Sequence, residues 1–152
     1  MRQRFLNLES DAGFTLIEML LVLATMAILG GLSIPLALPY VLQNDLDIST
    51  GITAQSLRRA QSLAMSMQGD SPWGVEMEPQ TITLFKGQTF NSRDVSQDEV
   101  FTLTIPLRYS GLTEVVFAKF SGEPVSSGNI SLSNSANQSR GITVNPKGVV
   151  SY

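Results

Sequence analysis

The stretch AGFTLIEMLLVLATMAILGG, residues 12–31, carries the strongest structural signal in the chain. Its single charged residue is Glu18, and the next charged residue is Asp45. About 20 consecutive apolar residues are enough for a helix to cross the hydrocarbon core of a bilayer. The sequence therefore predicts a transmembrane helix over residues 14–40. Arg2 and Arg4, in the polar segment before it, favour an orientation with the N-terminus in the cytoplasm.

The order of features ahead of the apolar run indicates that the run stays on the mature protein. An ordinary secretory signal has its small-residue cleavage site after the apolar core, whereas here the pair Ala12-Gly13 precedes it. A cut after Gly13 would remove residues 1–13 as a leader and leave a new α-amine on Phe14. Glu18 lies one helical turn from that amine, and an unpaired charge costs about 2.5 kcal/mol or more in a bilayer. We expect Glu18 to pair with the amine of its own chain or of a neighbouring chain.

The residues GFTLIEML, positions 13–20, resemble the processing site of class III signal peptides. Such peptides occur in type IV pilins and in the pseudopilins of type II secretion. The resemblance implies that a prepilin peptidase cuts between Gly13 and Phe14 and methylates the amine of Phe14. It also implies that Glu18 neutralises the N-terminus of a neighbouring subunit during filament assembly.

Pro35 also fits this resemblance, because pilin-like proteins often carry a proline near this position. A proline inside a helix removes one backbone hydrogen bond, so a kink is expected at Pro35. The alternative is that Pro35 and Pro39 only mark the exit from the membrane.

Residues 41–70 are predicted to form an amphipathic helical stem. The helix is expected to end near residue 68, with Gly51 permitting a break and Ser49 or Thr50 available to cap a restart. Its apolar stripe is expected to pack on a sheet, and packing on a partner helix is the alternative. The stripe comprises Leu46, Ile48, Ile52, Leu57, Ala60, Leu63, Ala64 and Met67.

Residues 71–152 show the alternation of strands and the turn residues between them. Residues 141–145 and 149–152, joined by Pro146-Lys147-Gly148, predict a hairpin. Trp73 is expected to anchor the core where helix meets sheet, with a binding hot spot as the alternative. The fold class is therefore α+β: one long helix packed on an antiparallel β domain. The remaining predicted strands cover residues 74–77, 81–85, 100–107, 114–120 and 129–133.

The C-terminal half is similar to H-type minor pseudopilins. The similarity rests on FAKFSGEPVSSGNISLSN at 117–134 and RGITVNPKGVVSY at 140–152, and on ITAQSLRRAQSLAMSM at 52–67. It implies a pilin-like fold for nearly the whole chain. Residues 86–113 match no part of the family pattern.

The composition argues against catalysis and against most metal sites. The 152 residues include no cysteine and no histidine, which removes thiolate ligands, cysteine nucleophiles and the commonest general base. Glu76 and Glu78 share one strand face and could form an acid/base pair, but a solvated face is the favoured interpretation. Asp45 and Asp47 begin like a calcium loop whose later ligand positions are missing. We therefore expect no enzyme activity, no cofactor and no metal.

These observations predict a minor pseudopilin, a structural subunit of the periplasmic pseudopilus of a type II secretion system. Its expected partners are other pseudopilins or pilins, the prepilin peptidase and the bacterial inner membrane, which it crosses once, with its C-terminal domain in the periplasm or at the cell exterior. The alternative is a minor type IV pilin used in pilus assembly or DNA uptake. DNA is not an expected partner, because Arg140 and Lys147 are the basic residues near the C-terminus and two charges give weak binding. An anchored enzyme is a third hypothesis without a convergent polar site to support it.

Overall fold

The computed structural model describes residues 13–152, apart from the side chains of residues 32–39. The predicted leader thus lies outside the described residues except for Gly13. The chain divides into two units, Met1–Leu38 and Pro39–Tyr152. One α helix, α1, spans Leu16–Met65 and contributes residues to both units.

The part of α1 in the second unit buries one face, as the sequence predicts. Leu46, Leu57 and Ala64 are fully buried, whereas Ile48 from the same predicted stripe is 52% exposed. The helix continues through Gly51, so the suggested break is wrong. Ser49 and Thr50 do not cap a restart either. Their hydroxyls donate to the carbonyl oxygens of residues 45 and 46, both at 2.7 Å. These hydrogen bonds satisfy the two hydroxyl groups inside the buried face of the helix.

The strands of residues 13–152 form two four-stranded sheets in which all neighbouring strands run antiparallel. The first sheet contains β1 (Trp73–Met77), β2 (Thr81–Lys86), β3 (Glu99–Thr102) and β5 (Glu114–Phe117); the second contains β4 (Arg108–Gly111), β6 (Gly128–Ser133), β7 (Ser139–Val144) and β8 (Val150–Ser151). The strand order is β3-β2-β1-β5 in the first sheet and β4-β6-β7-β8 in the second.

One hydrophobic core joins α1 to both sheets. Because strand residues alternate between faces, Trp73, Val75 and Met77 of β1 all point to this core. Trp73 is 4% exposed, which confirms it as a core residue, and its indole N–H donates to the carbonyl of Gln68 at 2.9 Å. The indole therefore ties the chain just after α1 to the first strand.

Loops from the β domain approach the C-terminal end of α1 very closely. The N–H of Phe120 donates to the carbonyl of Ala64 at 3.2 Å, and the amide of Gln61 donates to the carbonyl of Gly122 at 3.1 Å. Gly148 has φ of 81°, and a Cβ there would lie 2.2 Å from Nε2 of Gln61. Only glycine allows both this conformation and this approach.

The structure corrects the predicted strand over residues 100–107. The strand β3 ends at Thr102, because the next residues turn back onto the β1–β2 connection: the N–H of Leu103 donates to the carbonyl of Gln80 at 2.8 Å. Leu103 and Leu107 are nonetheless buried, which explains the apolar alternation. The predicted strand over residues 114–120 likewise ends earlier, at Phe117, and β4 was not predicted at all.

The C-terminal hairpin is confirmed. Strands β7 and β8 pair with Val144 opposite Val150. The turn between them is held by Asn145, whose side-chain oxygen accepts from the N–H groups of Lys147 and Val149, both at 2.9 Å.

Replacing Leu57 by Ala should lower the free energy of unfolding by about 2–5 kcal/mol, because Leu57 is 0% exposed and a cavity would remain. Urea unfolding of the full chain in detergent, followed by the fluorescence of the single tryptophan, measures this. The matched control is Ile48→Ala on the exposed side of the same helix, for which we expect a loss of about 0.5 kcal/mol or less. Equal losses in the two variants would contradict the assignment of the helix face.

Candidate functional site

The predicted processing site lies just outside α1. Residues 13–15 are not helical, and α1 begins at Leu16. Phe14 is 80% exposed, and Gly13 has open space around its Cα. The bond between Gly13 and Phe14 is therefore in an accessible, non-helical segment, which is the form in which a peptidase can take up a peptide bond.

Thr15 explains why the helix begins where it does. Its hydroxyl accepts from the N–H of Glu18 at 3.3 Å, and its carbonyl accepts from the N–H groups of Glu18 and Met19 at 3.1 and 3.2 Å. This is half of a capping box, a pattern of Thr followed three residues later by Glu. Sequence analysis alone could have found Thr15 by that spacing, but did not use it.

Glu18 lies in the first turn of α1, where the partial positive charge of the helix end favours a carboxylate. It is exposed, and within residues 13–152 no ion pair involves it. Because the carboxylate is exposed and has no ion-pair partner in that part of the chain, it is available to a cationic partner.

The N-terminal part of α1 exposes a series of apolar side chains on both sides of Glu18, among them Leu16 at 79%, Ile17 at 70% and Leu29 at 68%. Within the described part of the chain, no helix has both the length and the apolar character that a membrane crossing demands. Pro35 falls in the run 32–39, whose side chains lie outside the described part, and its kink stays a prediction.

The two basic residues near the C-terminus are both paired. Arg140 contacts the carboxylate of Asp47 at 2.6 Å, and Lys147 contacts that of Glu123 at 2.7 Å. Their charges are therefore neutralised locally and do not form a free basic patch.

A cleft of about 610 Å³ opens in the second unit beside the end of β1 and the start of β4. Its titratable lining residues are Arg108 and Tyr109, so it contains no carboxylate or imidazole that could act as a general base. Among the residues that the structure describes, no three acidic side chains converge as metal ligands. The complete lining is Met77, Pro79, Pro106, Leu107, Arg108, Tyr109, Thr113, Asn134 and Ser135.

The sequence predicted that Glu76 lies on a solvated strand face, but one of its carboxylate oxygens is buried. Glu76 lies on β1 directly opposite Glu114 on β5, and its Oε2 is buried without a hydrogen-bond partner. Burial raises the pKa of the Glu76 carboxyl to about 7, and the charges of Glu114 and Glu78 act in the same direction. Glu78, by contrast, is exposed and accepts a hydrogen bond from the hydroxyl of Thr81 at 3.0 Å.

Comparison with solved structures identifies the architecture. The chain is similar to the minor pseudopilin EpsH from the type 2 secretion system of Vibrio cholerae, with a TM-score of 0.51 and 15% sequence identity, over 70% of this chain and 94% of that chain. The fold is pilin-like. This confirms the predicted α+β class, in which a long N-terminal helix packs on antiparallel sheets. No protein-family model matches the chain, and no curated protein matches it by sequence.

Replacing Thr15 by Val in the processed chain should loosen the first turn of α1, because the Glu18 N–H loses the Thr15 hydroxyl, one of its two acceptors, and keeps only the Thr15 carbonyl. A missing N-cap costs about 1 kcal/mol, so the exchange of that amide proton should become about fivefold faster. Proton exchange measured by NMR in detergent micelles tests this. Thr15→Ser keeps the hydroxyl and should retain the original rate; slow exchange in Thr15→Val would show that the hydroxyl is not the cap.

Proposed function

We propose that this chain is a minor pseudopilin, a structural subunit of the periplasmic pseudopilus of a type II secretion system. The observation that carries the proposal is that one chain has both a processing motif and a pilin-like fold. The motif GFTLIEML lies at the start of α1, and the helix then enters a pilin-like domain similar in fold to EpsH.

Gly13, Phe14 and Glu18 of the N-terminal segment each have a physical role in this function. A prepilin peptidase cuts between Gly13 and Phe14, in the accessible segment before the helix, and methylates the Phe14 amine. The exposed carboxylate of Glu18 then pairs with the amine of a neighbouring subunit. In apolar surroundings this pairing offsets the cost of burying each charge alone, so it sets the stagger between neighbouring helices.

We also propose that residues 14–40 form the membrane and filament-core helix of a protein in the bacterial inner membrane, with the C-terminal domain in the periplasm. The absence of charged residues between Glu18 and Asp45 supports this location. The domain then serves contacts with other subunits and performs no turnover chemistry.

The alternative of a pilin for DNA uptake has no specific observation in its favour. Arg140 and Lys147 are held in ion pairs. Clear retention of DNA by the chain at low salt would nevertheless favour that alternative over the secretion role.

Replacing Glu18 by Gln should abolish incorporation into the filament while membrane insertion continues. The variant keeps the size of the side chain and removes the charge that pairs with a neighbour's amine. The test is the recovery of the chain with sheared or cross-linked filaments from cells that contain the complete assembly system. Glu78→Gln, an exposed carboxylate in the β domain, serves as the charge-matched control. Incorporation of Glu18→Gln at the level of the unmodified chain would refute the pairing.

The mass of the intact chain, made with and without a prepilin peptidase, tests the processing step. We expect the peptidase to remove residues 1–13 and to add one methyl group to Phe14. An uncut chain, or a cut beyond the apolar run, would contradict the proposed filament role at its first step.

A further inference from the structure

Residues 87–98, the covering segment, fold over the face of the first sheet that points away from α1. The segment contains two short 3-10 turns, Phe90–Ser92 and Val95–Gln97, which contact β1 and β2. The ring of Phe90 meets that of Phe85 edge-on, at 5.6 Å between centroids and 70° between planes. Phe85 is 0% exposed although it lies on the face opposite the main core, so this segment keeps water from it.

The same sheet face contains the pair Glu76 and Glu114, directly opposite each other on β1 and β5. Cross-strand neighbours have their Cβ atoms about 5 Å apart, so two charged carboxylates repel each other there. Oε2 of Glu76 is buried and has no hydrogen-bond partner. A charge on Glu76 is therefore neither hydrated at this oxygen nor compensated.

Other charged residues near Glu76 and Glu114 do not compensate the repulsion between the two carboxylates. Glu78, just after the end of β1, adds a negative charge, and Lys86 lies at the far end of β2, where its side chain reaches Gly69. In the covering segment, Arg93 is ion-paired with Asp98 at 2.7 Å, and the remaining charge is Asp94, whose carboxylate accepts from Ser96. Within residues 13–152, no ion pair involves Glu76.

Glu114 connects this repulsion to the covering segment. Its Oε1 accepts from the backbone N–H of Phe90 at 2.8 Å. This hydrogen bond lies beside the ring of Phe90. The Arg93 guanidinium stacks over the same ring, with Cζ 3.8 Å from the ring centroid. If Glu114 turns away from a charged Glu76, it must release the N–H that holds Phe90.

We propose that Glu76 and Glu114 form a proton-operated latch that holds the covering segment on the first sheet when Glu76 is protonated and releases it when Glu76 is charged. In the closed state Glu76 carries one proton, and the charged Glu114 accepts from Phe90. Opening releases that proton to water, separates the two carboxylates and exposes the rings of Phe85 and Phe90. The latch is independent of the proposed function, since it involves only the second unit.

The direction of the pH dependence follows from the direction in which the pKa of Glu76 is shifted. The pKa of Glu76 is raised from 4.5 to about 7 in the closed state, so the closed state binds the proton more tightly than the open one. The closed state is therefore fully favoured below the ordinary pKa of 4.5. It loses its advantage as the pH rises through that value toward about 7.

Hydrogen–deuterium exchange of the full chain in detergent tests the latch, with mass spectrometry of peptides that contain Phe90. Rates are measured at pH 5 and pH 8 and divided by the intrinsic chemical rate at each pH. In the unmodified chain, the corrected exchange of residues 87–98 should rise by about tenfold or more at pH 8, since one unit of pKa difference is a tenfold change in the opening equilibrium. Glu76→Gln mimics the protonated side chain and should stay slow at both pH values.

Glu78→Gln is the matched control, because it removes an exposed carboxylate two residues from Glu76, just beyond the end of β1, and leaves Glu76 in place. It should keep most of the pH dependence of the unmodified chain. The latch is refuted if the unmodified chain shows no pH dependence, or if Glu76→Gln shows the same dependence. Should Glu76→Gln fail to fold, carboxyl NMR of the unmodified chain decides: a Glu76 midpoint near 7 supports the latch, and one between 4 and 5 overturns it.

Discussion

The close packing of α1 on two sheets is the interaction on which the rest of the second unit depends. The buried helix face is built largely from small residues, including Ala54, Ala60 and Ala64, so the helix backbone can lie near the strands. The inward side chains of both sheets meet it in one core. The strands of the two sheets interleave along the chain, since β4 of the second sheet precedes β5 of the first, and both sheets share this core with the helix. Loops that cross the end of the helix must then come close to it, which is why Gly122 and Gly148 lie there with positive φ.

This arrangement also determines where polar groups are tolerated. On the helix, buried hydroxyls such as those of Thr50 and Thr53 bond to carbonyls one turn earlier and are therefore satisfied. On the far face of the first sheet, Glu76 has no such partner. A buried carboxyl group that costs stability is unusual in a domain otherwise consistent with its local sequence, and such exceptions are common at sites that change state.

The features of the N-terminal segment, by contrast, depend only on residues that are close to one another in the sequence. Phe14 and Gly13 precede the helix, Thr15 caps it, and Glu18 stands in its first turn. No contact with the β domain is needed for any of these roles. The proposed function combines this local motif with the pilin-like fold.

The division between what the sequence determined and what the tertiary structure decided follows from the range of the interactions. Apolar periodicity, the turn at Asn145 and the segment from Gly13 to Glu18 depend on neighbours within a few residues. The sequence alone was therefore enough to predict helix over most of α1, the last hairpin and the candidate assembly residues, but not that the helix continues through Gly51. The end of β3 at Thr102 and the separate second sheet depend on residues far apart in the chain. The same holds for Glu76: alternation placed it with Glu78 on a solvated face. Only the pairing of β1 with β5 places it opposite Glu114, with its Oε2 buried.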